Sequence, residues 1–339
     1  MRLYLITAAL SFALSAALTP LVRALSLRLG WLDAPHGIKT HKAPVPSLGG
    51  IAIWLSYTLS LVAMRFVTRF PTGTLRSLRG ILLGGLLVFL LGVVDDARKP
   101  KGLGFKSKFA VQILAAVIIS RFGLRIHFIQ PGYLALALTF LWVVGVSNAF
   151  NIIDIMDGLC ASQAAVAALA FACIAFPAKE IYVGFAAAAV FGAALGFMPW
   201  NFSSSRKIFM GDSGSLFLGF ILAAVSLGTH YSRTNTLGVY APLFILLIPI
   251  YDTLFVMAMR MLKGQSPFLG SKDHFALRLE TEGFSRHQIV AMAAAASIAL
   301  SVCAFLITRV SVYWALGIYV FVLAYVSILS WGLYTIKVK

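Results

Sequence analysis

The chain has 339 residues, of which 60% are hydrophobic and only 12% charged, with a mean hydropathy of +0.92. That composition excludes a soluble globule, because apolar runs long enough to cross ~30 Å of hydrocarbon recur along its whole length. The formal net charge of +17 lies in the loops between those runs, where it reads as a topology signal and an affinity for lipid or phosphate. No nucleic-acid partner is expected.

The expected fold is an all-α polytopic membrane protein, one integrated bundle over residues 1–339. Eleven spans are expected, centred on residues 3–22, 48–66, 80–94, 108–120, 133–148, 160–176, 182–198, 213–229, 239–258, 288–307 and 311–335. The first resembles a signal peptide but is read as an uncleaved helix. Cys160, Cys173 and Cys303 all sit in apolar stretches, too scattered for a zinc site or a disulfide framework. Alternate loops divide the charges unevenly. Eighteen of the 28 Lys and Arg fall on one side, and of 11 Asp and Glu only Glu180 falls on the other. The positive-inside rule makes the basic side cytoplasmic, and the crowding of acids puts the expected active face there too.

The first cytoplasmic loop, residues 31–50, is rich in turn formers and bases. Lys39, His41 and Lys42 are candidates to hold phosphate oxygens. Pro44 and Pro46 keep the chain extended, and Gly49-Gly50 allow close backbone approach where the second span begins. In the second loop Asp95 and Asp96 close the third span. Two adjacent carboxylates at a membrane edge repel each other and persist readily only beside a metal or several cations. Five basic residues follow them within residues 98–108.

The most concentrated chemistry follows the fifth span, in Asn148-Ala-Phe-Asn-Ile-Ile-Asp-Ile-Met-Asp-Gly158. Asn148, Asn151, Asp154 and Asp157 recur every three residues, so a helix through all of them would present one acidic, amide-rich face. Such a face is expensive at a membrane helix end unless something cationic sits against it. Its oxygen ligands suit Mg²⁺, which shares its shell with phosphate. After the seventh span comes Phe209-Met-Gly-Asp-Ser-Gly-Ser215, where Asp212 opens a helix and the glycines and serines leave backbone N–H groups free for an anion. Phe209 and Trp200 offer flat faces for a base. The ninth span holds Pro249 and Asp252 and is expected to break near its cytoplasmic end. The long loop beyond it contains Ser266-Pro-Phe268 and Asp273-His274-Phe-Ala-Leu-Arg-Leu279. There a helix over 273–279 would put His274 and Arg278 on one face as a phosphate clamp.

From about residue 32 to 288 the chain resembles the polyprenyl-phosphate N-acetylhexosamine-1-phosphate transferases. The resemblance rests on Lys39-Thr-His-Lys42 with Pro46-Ser-Leu-Gly-Gly50, Asp95-Asp96, Asn148 to Gly158, Phe209 to Ser215, and Ser266-Pro-Phe268 with Asp273-His274. Eleven spans are more similar to the N-acetylglucosaminyl branch than to the ten-span translocases. One departure concerns the last loop, where the family's His-x-His-His-Arg-Leu reads His274-Phe-Ala-Leu-Arg-Leu279.

The resemblance implies transfer of an amino-sugar 1-phosphate, GlcNAc-1-phosphate first, from a UDP-sugar to undecaprenyl phosphate with release of UMP. It further implies Mg²⁺ (or Mn²⁺), a bacterial inner membrane, a role at the first membrane step of a surface polysaccharide, and a homodimer as one assembly. Carried over by position, Asp212 matches the principal Mg²⁺ ligand and Asn151 a second. Lys42, Asp157 and Phe209 match positions that grip the uridine. Asp95 matches the carboxylate proposed as base, with Asp96 beside it, and Asp154 and His274 match residues needed for activity. The alternative is a secondary transporter of an anionic solute, which would place its polar residues near the bilayer midplane in two related halves. Here they gather at one face, and no repeat is visible.

Overall fold

The computed structural model describes residues 1–34, 43–99, 101–228, 231–232, 234–267 and 271–336. Lys39, His41, Lys42 and Phe268 lie outside the described residues. The chain divides into two compact units, Met1–Thr229 and His230–Lys339.

The first unit contains α1 (Arg2–Leu29), α2 (Gly49–Val67), α3 (Thr72–Ala97), α4 (Phe105–Arg121), α5 (Gly132–Ile153), α6 (Leu159–Ala178), α7 (Ile181–Asn201) and α8 (Gly211–Ser226). A two-residue antiparallel pair, β1 (Leu32–Asp33) with β2 (Val45–Pro46), brackets the first loop. In a bilayer, helices associate through close packing and hydrogen bonds rather than through hydrophobic burial. The α1–α7 contact follows that rule. Thr7, Ser11, Ser15 and Thr19 recur every fourth residue of α1 and are all fully buried. Ser11 Oγ donates to the Ala189 carbonyl and Ser15 Oγ to that of Ala193, both at 2.8 Å. Gly192 and Gly196 on α7 lie where any Cβ would collide with α1 backbone.

Helix α8 is the centre of this unit. Of its 16 residues, only Asp212 is not buried. On α3, Gly92 faces the backbone of Asp212 and Ser213, and a Cβ there would clash with it. Gly50 at the start of α2 meets Ser213 and Gly214 in the same way. These two glycines let α2 and α3 close on the N-terminus of α8, which brings Asp95 and Asp96 to Asp212.

The second unit has a short 3-10 turn (Thr236–Tyr240), α9 (Ala241–Ile245), α10 (Leu247–Leu262), α11 (Phe275–Thr281), α12 (Arg286–Ile307) and α13 (Val312–Thr335). The segment ending in α9 and α10 meet at a 71° bend. The expected break is present, but it falls before Pro249, midway along the expected span 239–258. Proline excludes the carbonyl four residues earlier, and α9 ends at that residue, Ile245. Helix α12 opens on a capping box in which Ser285 and Gln288 satisfy each other's backbone N–H. Helix α13 buries only Ala315, Val322 and Leu333, leaving an apolar surface suited to lipid.

Among the described residues eight helices are long and apolar enough to cross a membrane (α1, α2, α3, α5, α6, α7, α12 and α13), or nine if the bent pair is one span. Each of the eleven expected spans meets a helix, but α4 and α8 have only 17 and 16 residues. A crossing needs ~20. The structure therefore supports eight or nine spans by length and composition, and α4 and α8 account for the difference from eleven.

Candidate active site

The first unit gathers three carboxylates and two ammonium groups where α3, α4 and α8 meet. Asp96 is the deepest. Its Oδ1 accepts the Asp212 N–H and its Oδ2 the Ser213 N–H, both at 3.0 Å. It thereby satisfies two of the amides that the first turn of α8 leaves unpaired, and its charge opposes the positive helix end. Gly211 makes this possible, with a left-handed φ of 73° and a hydrogen where a Cβ would strike the Asp96 carboxylate. Lys99 Nζ reaches Asp96 Oδ1 at 2.7 Å and Asp212 Oδ1 at 3.2 Å. Lys108 Nζ reaches Asp95 Oδ2 at 2.6 Å and Asp212 Oδ2 at 2.8 Å. Asp95 Oδ1 also accepts the Leu103 N–H, which folds the basic loop back over the pair.

Asp212 is thus held between two ammoniums, one on each oxygen. Its side chain is 16% exposed while that of Asp96 is fully buried, so Asp212 is the carboxylate a ligand can reach. Burial opposes the charge on Lys99, but Asp212 and then Asp96 outweigh it and raise the Lys99 pKa above the ordinary lysine value. Among the described residues these three carboxylates face two ammoniums.

The central segment is not one continuous helical face. Helix α5 ends at Ile153, Asp154 is its C-cap, and the chain turns through Gly158 at φ 76° before α6. The four polar residues therefore separate. Asn148 Nδ2 donates inward to the Val144 carbonyl and to Gln112 Oε1, both at 2.7 Å, which makes it a packing contact between α4 and α5. Asn151 Nδ2 donates to Ser215 Oγ at 3.0 Å. Ser215 gives its one hydrogen to the Gly211 carbonyl, so toward Asn151 it can only accept. That fixes the amide and leaves Asn151 Oδ1 as the oxygen for another ligand. Asp154 lies just past the α5 terminus, half-buried, and burial followed by the nearby Asp212 pushes its pKa up to about 8, with Lys99 opposing.

Asp157 lies beyond the helix and pairs with Lys207 at 2.5 Å, whose Nζ stands 5.1 Å over the Phe209 ring. The Phe209 loop is laced to residues 46–50. Phe209 N–H donates to the Pro46 carbonyl at 2.8 Å, Gly49 N–H to the Phe209 carbonyl at 3.0 Å, and Gly50 N–H to that of Met210 at 2.8 Å. The sequence motif over 46–50 is the backbone partner that carries Phe209 and Asp212. Trp200 belongs elsewhere, its indole N–H donating to Ala16 of α1 at 3.1 Å.

The second unit holds a separate polar group. Asp252, fully buried in α10, stands 2.7 Å from His274 Nδ1 and accepts the Phe275 N–H at 3.0 Å. Asp273 pairs with Lys263 at 2.7 Å and with Arg278 Nη2 at 2.8 Å. Burial works against ionised Asp273, but these two cations prevail and hold its pKa below the usual carboxylate range. Arg278 does lie four residues from His274, although α11 starts only at Phe275. Its Nη1 donates to the Leu333 and Ile336 carbonyls, at 2.9 and 2.5 Å, and its Nε to that of Asp273 at 3.3 Å. Four of the five N–H groups are committed inside the protein, so Arg278 is a brace between α11 and the end of α13 in place of the expected phosphate fork.

Sequence reasoning gave no site role to Lys99, Lys108, Lys207 or Asp252. The lysines belong to basic runs whose plain reading is topology. Asp252 carried a signal of its own, an ionisable residue inside an apolar helix.

Among the described residues no three His, Cys, Asp or Glu side chains converge as a metal cage. Mg²⁺ does not require one, because it takes one or two carboxylates and completes its shell with water and substrate phosphate. Asp212 and the free oxygen of Asn151 fit that demand. Asp212 and Ser215 are one turn apart on α8, and Asn151 is bound to Ser215.

Residues 78–230 match the family described as Glycosyl transferase family 4. A Bacillus subtilis protein named as a probable undecaprenyl-phosphate N-acetylglucosaminyl 1-phosphate transferase is 29% identical over 322 residues, covering 92% of this chain and 87% of the relative. The decaprenyl-phosphate N-acetylglucosaminephosphotransferase of Mycolicibacterium smegmatis is 29% identical over 79% of this chain and 73% of its own length. The phospho-N-acetylmuramoyl-pentapeptide-transferase of Halalkalibacterium halodurans is 34% identical over 67% of this chain and 75% of its own length. The chain belongs to the polyprenyl-phosphate N-acetylhexosamine-1-phosphate transferases of glycosyl transferase family 4.

Proposed function

We propose that this protein transfers an N-acetylamino-sugar 1-phosphate, GlcNAc-1-phosphate first, from a UDP-sugar to undecaprenyl phosphate, as the first membrane step of a surface polysaccharide. The reaction runs at the cytoplasmic face of a bacterial inner membrane. The chain crosses eleven times, with α4 and α8 as short crossings. An oxygen of the lipid phosphate attacks the sugar-bearing phosphorus of the donor. The new P–O bond makes a lipid-linked diphosphate sugar, and the bond to UMP breaks.

The observation that carries the reading is the reachable Asp212 carboxylate held between Lys99 and Lys108 at the α3–α8 junction. Two phosphate-bearing substrates must approach each other there, each with roughly two negative charges. The need is therefore neutralisation and positioning more than covalent chemistry. Lys99 and Lys108, anchored by Asp96 and Asp95, are the donors a phosphate would meet here, and the carboxylate in excess is left for a cation to neutralise. Asp157, Lys207 and Phe209 form a neighbouring group suited to a uridine ring and its ribose. Asp212 and Asn151 would hold Mg²⁺, which when bound neutralises phosphate charge and the departing UMP. A phosphate monoester has its second pKa near ~6, so the lipid nucleophile is largely deprotonated at neutral pH. Asp95 serves it better as an anchor for Lys108 than as a base.

The test is purified protein with Mg²⁺, undecaprenyl phosphate and a panel of UDP-sugars, scored by UMP release. Release that needs both the lipid phosphate and one UDP-N-acetylamino sugar supports the reading. No release with any donor, or release without lipid phosphate, overturns it.

A further inference from the structure

The His274–Asp252 pair joins residues from two elements of the second unit, α10 and the N-terminal edge of α11. Asp252 is fully buried, and the His274 side chain is only 6% exposed. The carboxylate has no hydrogen of its own when ionised, so at 2.7 Å from Nδ1 it must accept. Its other oxygen is already taken by the Phe275 N–H at 3.0 Å, so the carboxylate cannot rotate away without unpairing that amide. The pair is braced from the next residue, where Asp273 is tied to Lys263 and Arg278. Hydrogen bonds among the described residues leave His274 Nε2 uncommitted.

We infer that Asp252 is a positioning residue that holds the His274 Nδ1–H and leaves Nε2 as the outward nitrogen, whose N–H donates to an anionic phosphate group when the ring is imidazolium. The tautomer of an imidazole is set by the partner of its other nitrogen. In this loop the second and third histidines of the family's run are replaced by Ala276 and Leu277, so one correctly oriented ring carries what several could share. The role at substrate rests on the transferase reading above; the tautomer assignment does not.

The experiment uses full-length protein in nanodiscs labelled with ¹⁵N-histidine, with the His274 signals identified among the six histidines by their loss in His274→Gln. The expected spectrum has Nδ1 protonated, whether the ring is neutral or imidazolium. Neutral His274 protonated on Nε2 overturns the inference, and that reading needs neither turnover nor an altered Asp252. In Asp252→Asn the amide oxygen can still accept the Phe275 N–H, while its NH₂ now faces Nδ1 and drives the proton to Nε2. A tautomer unchanged in that variant also overturns the inference. In the UMP-release assay Asp252→Asn, which holds the ring neutral, should lose roughly 10²-fold or more in kcat, the scale of one lost electrostatic donor. The double variant with His274→Ala should be no slower than His274→Ala alone. Multiplying losses would mean that Asp252 acts independently of His274. Wild-type protein without UMP release would count against the transferase reading and leave the spectroscopic result standing.

Discussion

The backbone amide of Asp212 donates to the side chain of Asp96, so the carboxylate that closes α3 also caps the helix that α8 begins. Residues that a sequence motif presents as a catalytic set thus divide into a buried member and a reachable one, and they should fail differently. Asp96→Ala leaves two α8 amides without an acceptor in a buried setting, a loss of about 1–3 kcal/mol. The expected result is a lower thermal unfolding midpoint in detergent together with lost activity. Normal thermal stability with abolished turnover would assign Asp96 to the chemistry instead.

Asp212→Ala should behave in the opposite way. Lys99 remains paired with Asp96 and Lys108 with Asp95, so neither ammonium is orphaned. The variant should unfold near the wild-type temperature while UMP release disappears. Chelation of divalent cations should do the same to the wild-type protein, and turnover that survives exhaustive chelation would remove the metal from this account.

Asp95→Asn separates charge organisation from proton abstraction. The amide can still accept from Leu103, but it no longer neutralises Lys108. Since the lipid phosphate is already ionised above its second pKa, the loss should be a similar factor from roughly pH 6.5 to 9. A defect that shrinks steadily as pH rises would restore the base role.

For Arg278→Lys, charge is kept but the planar fork is lost, and a single ammonium cannot serve Leu333, Ile336 and Asp273 together. The variant should be less stable, by about 1–3 kcal/mol for the buried acceptors it leaves, with an unchanged KM for the UDP-sugar in the fraction that folds. A raised KM at full stability would make Arg278 a donor ligand after all.

Asp154 gives a pH signature. Its folded pKa, about 8, lies above the ordinary aspartate value of 3.8, so the folded state binds the proton more tightly than the unfolded one. Folding stability contributed by this group is therefore full at low pH and declines as pH rises from about 4 toward 8. In chelator, Asp154→Asn should gain thermal stability relative to wild type across that range, most at the alkaline end. An unfolding difference that is flat with pH would show that Asp154 is not held protonated.

Much of this was legible in the residues. Apolar runs located the long helices among the described residues, and the acidic motifs pointed to the α3–α8 junction. The span count was less legible because α4 and α8 have only 17 and 16 residues, and α8 is enclosed by protein, which replaces the length that lipid would demand. The face through Asn148, Asn151, Asp154 and Asp157 was overextended, since a spacing of three cannot reveal that the helix stops at Ile153. Gly158 was the local hint, because its left-handed turn requires the chain to leave the helix. The lysines were hidden for another reason. A base that pairs with a carboxylate 104 residues away, as Lys108 does with Asp212, has the same local sequence as one that greets a headgroup.

The hydroxyl ladder between α1 and α7 also constrains how the protein is made. Ser11 and Ser15 find their acceptors 178 residues later in the chain. At ~5–20 residues per second, synthesis takes roughly 10 to 35 s to deliver α7 after α1 has emerged. During that interval α1 must wait in the bilayer with its hydroxyls turned back on its own backbone, as Thr7 and Thr19 remain in the finished fold, donating to Leu3 and Ser15. Serine and threonine are the polar residues that permit such a delay, because each can serve its own helix first and a neighbour afterwards. Asparagine or glutamine at positions 11 and 15 would seek interhelical partners at once, and the cost would be misassembly with whichever helix arrived first.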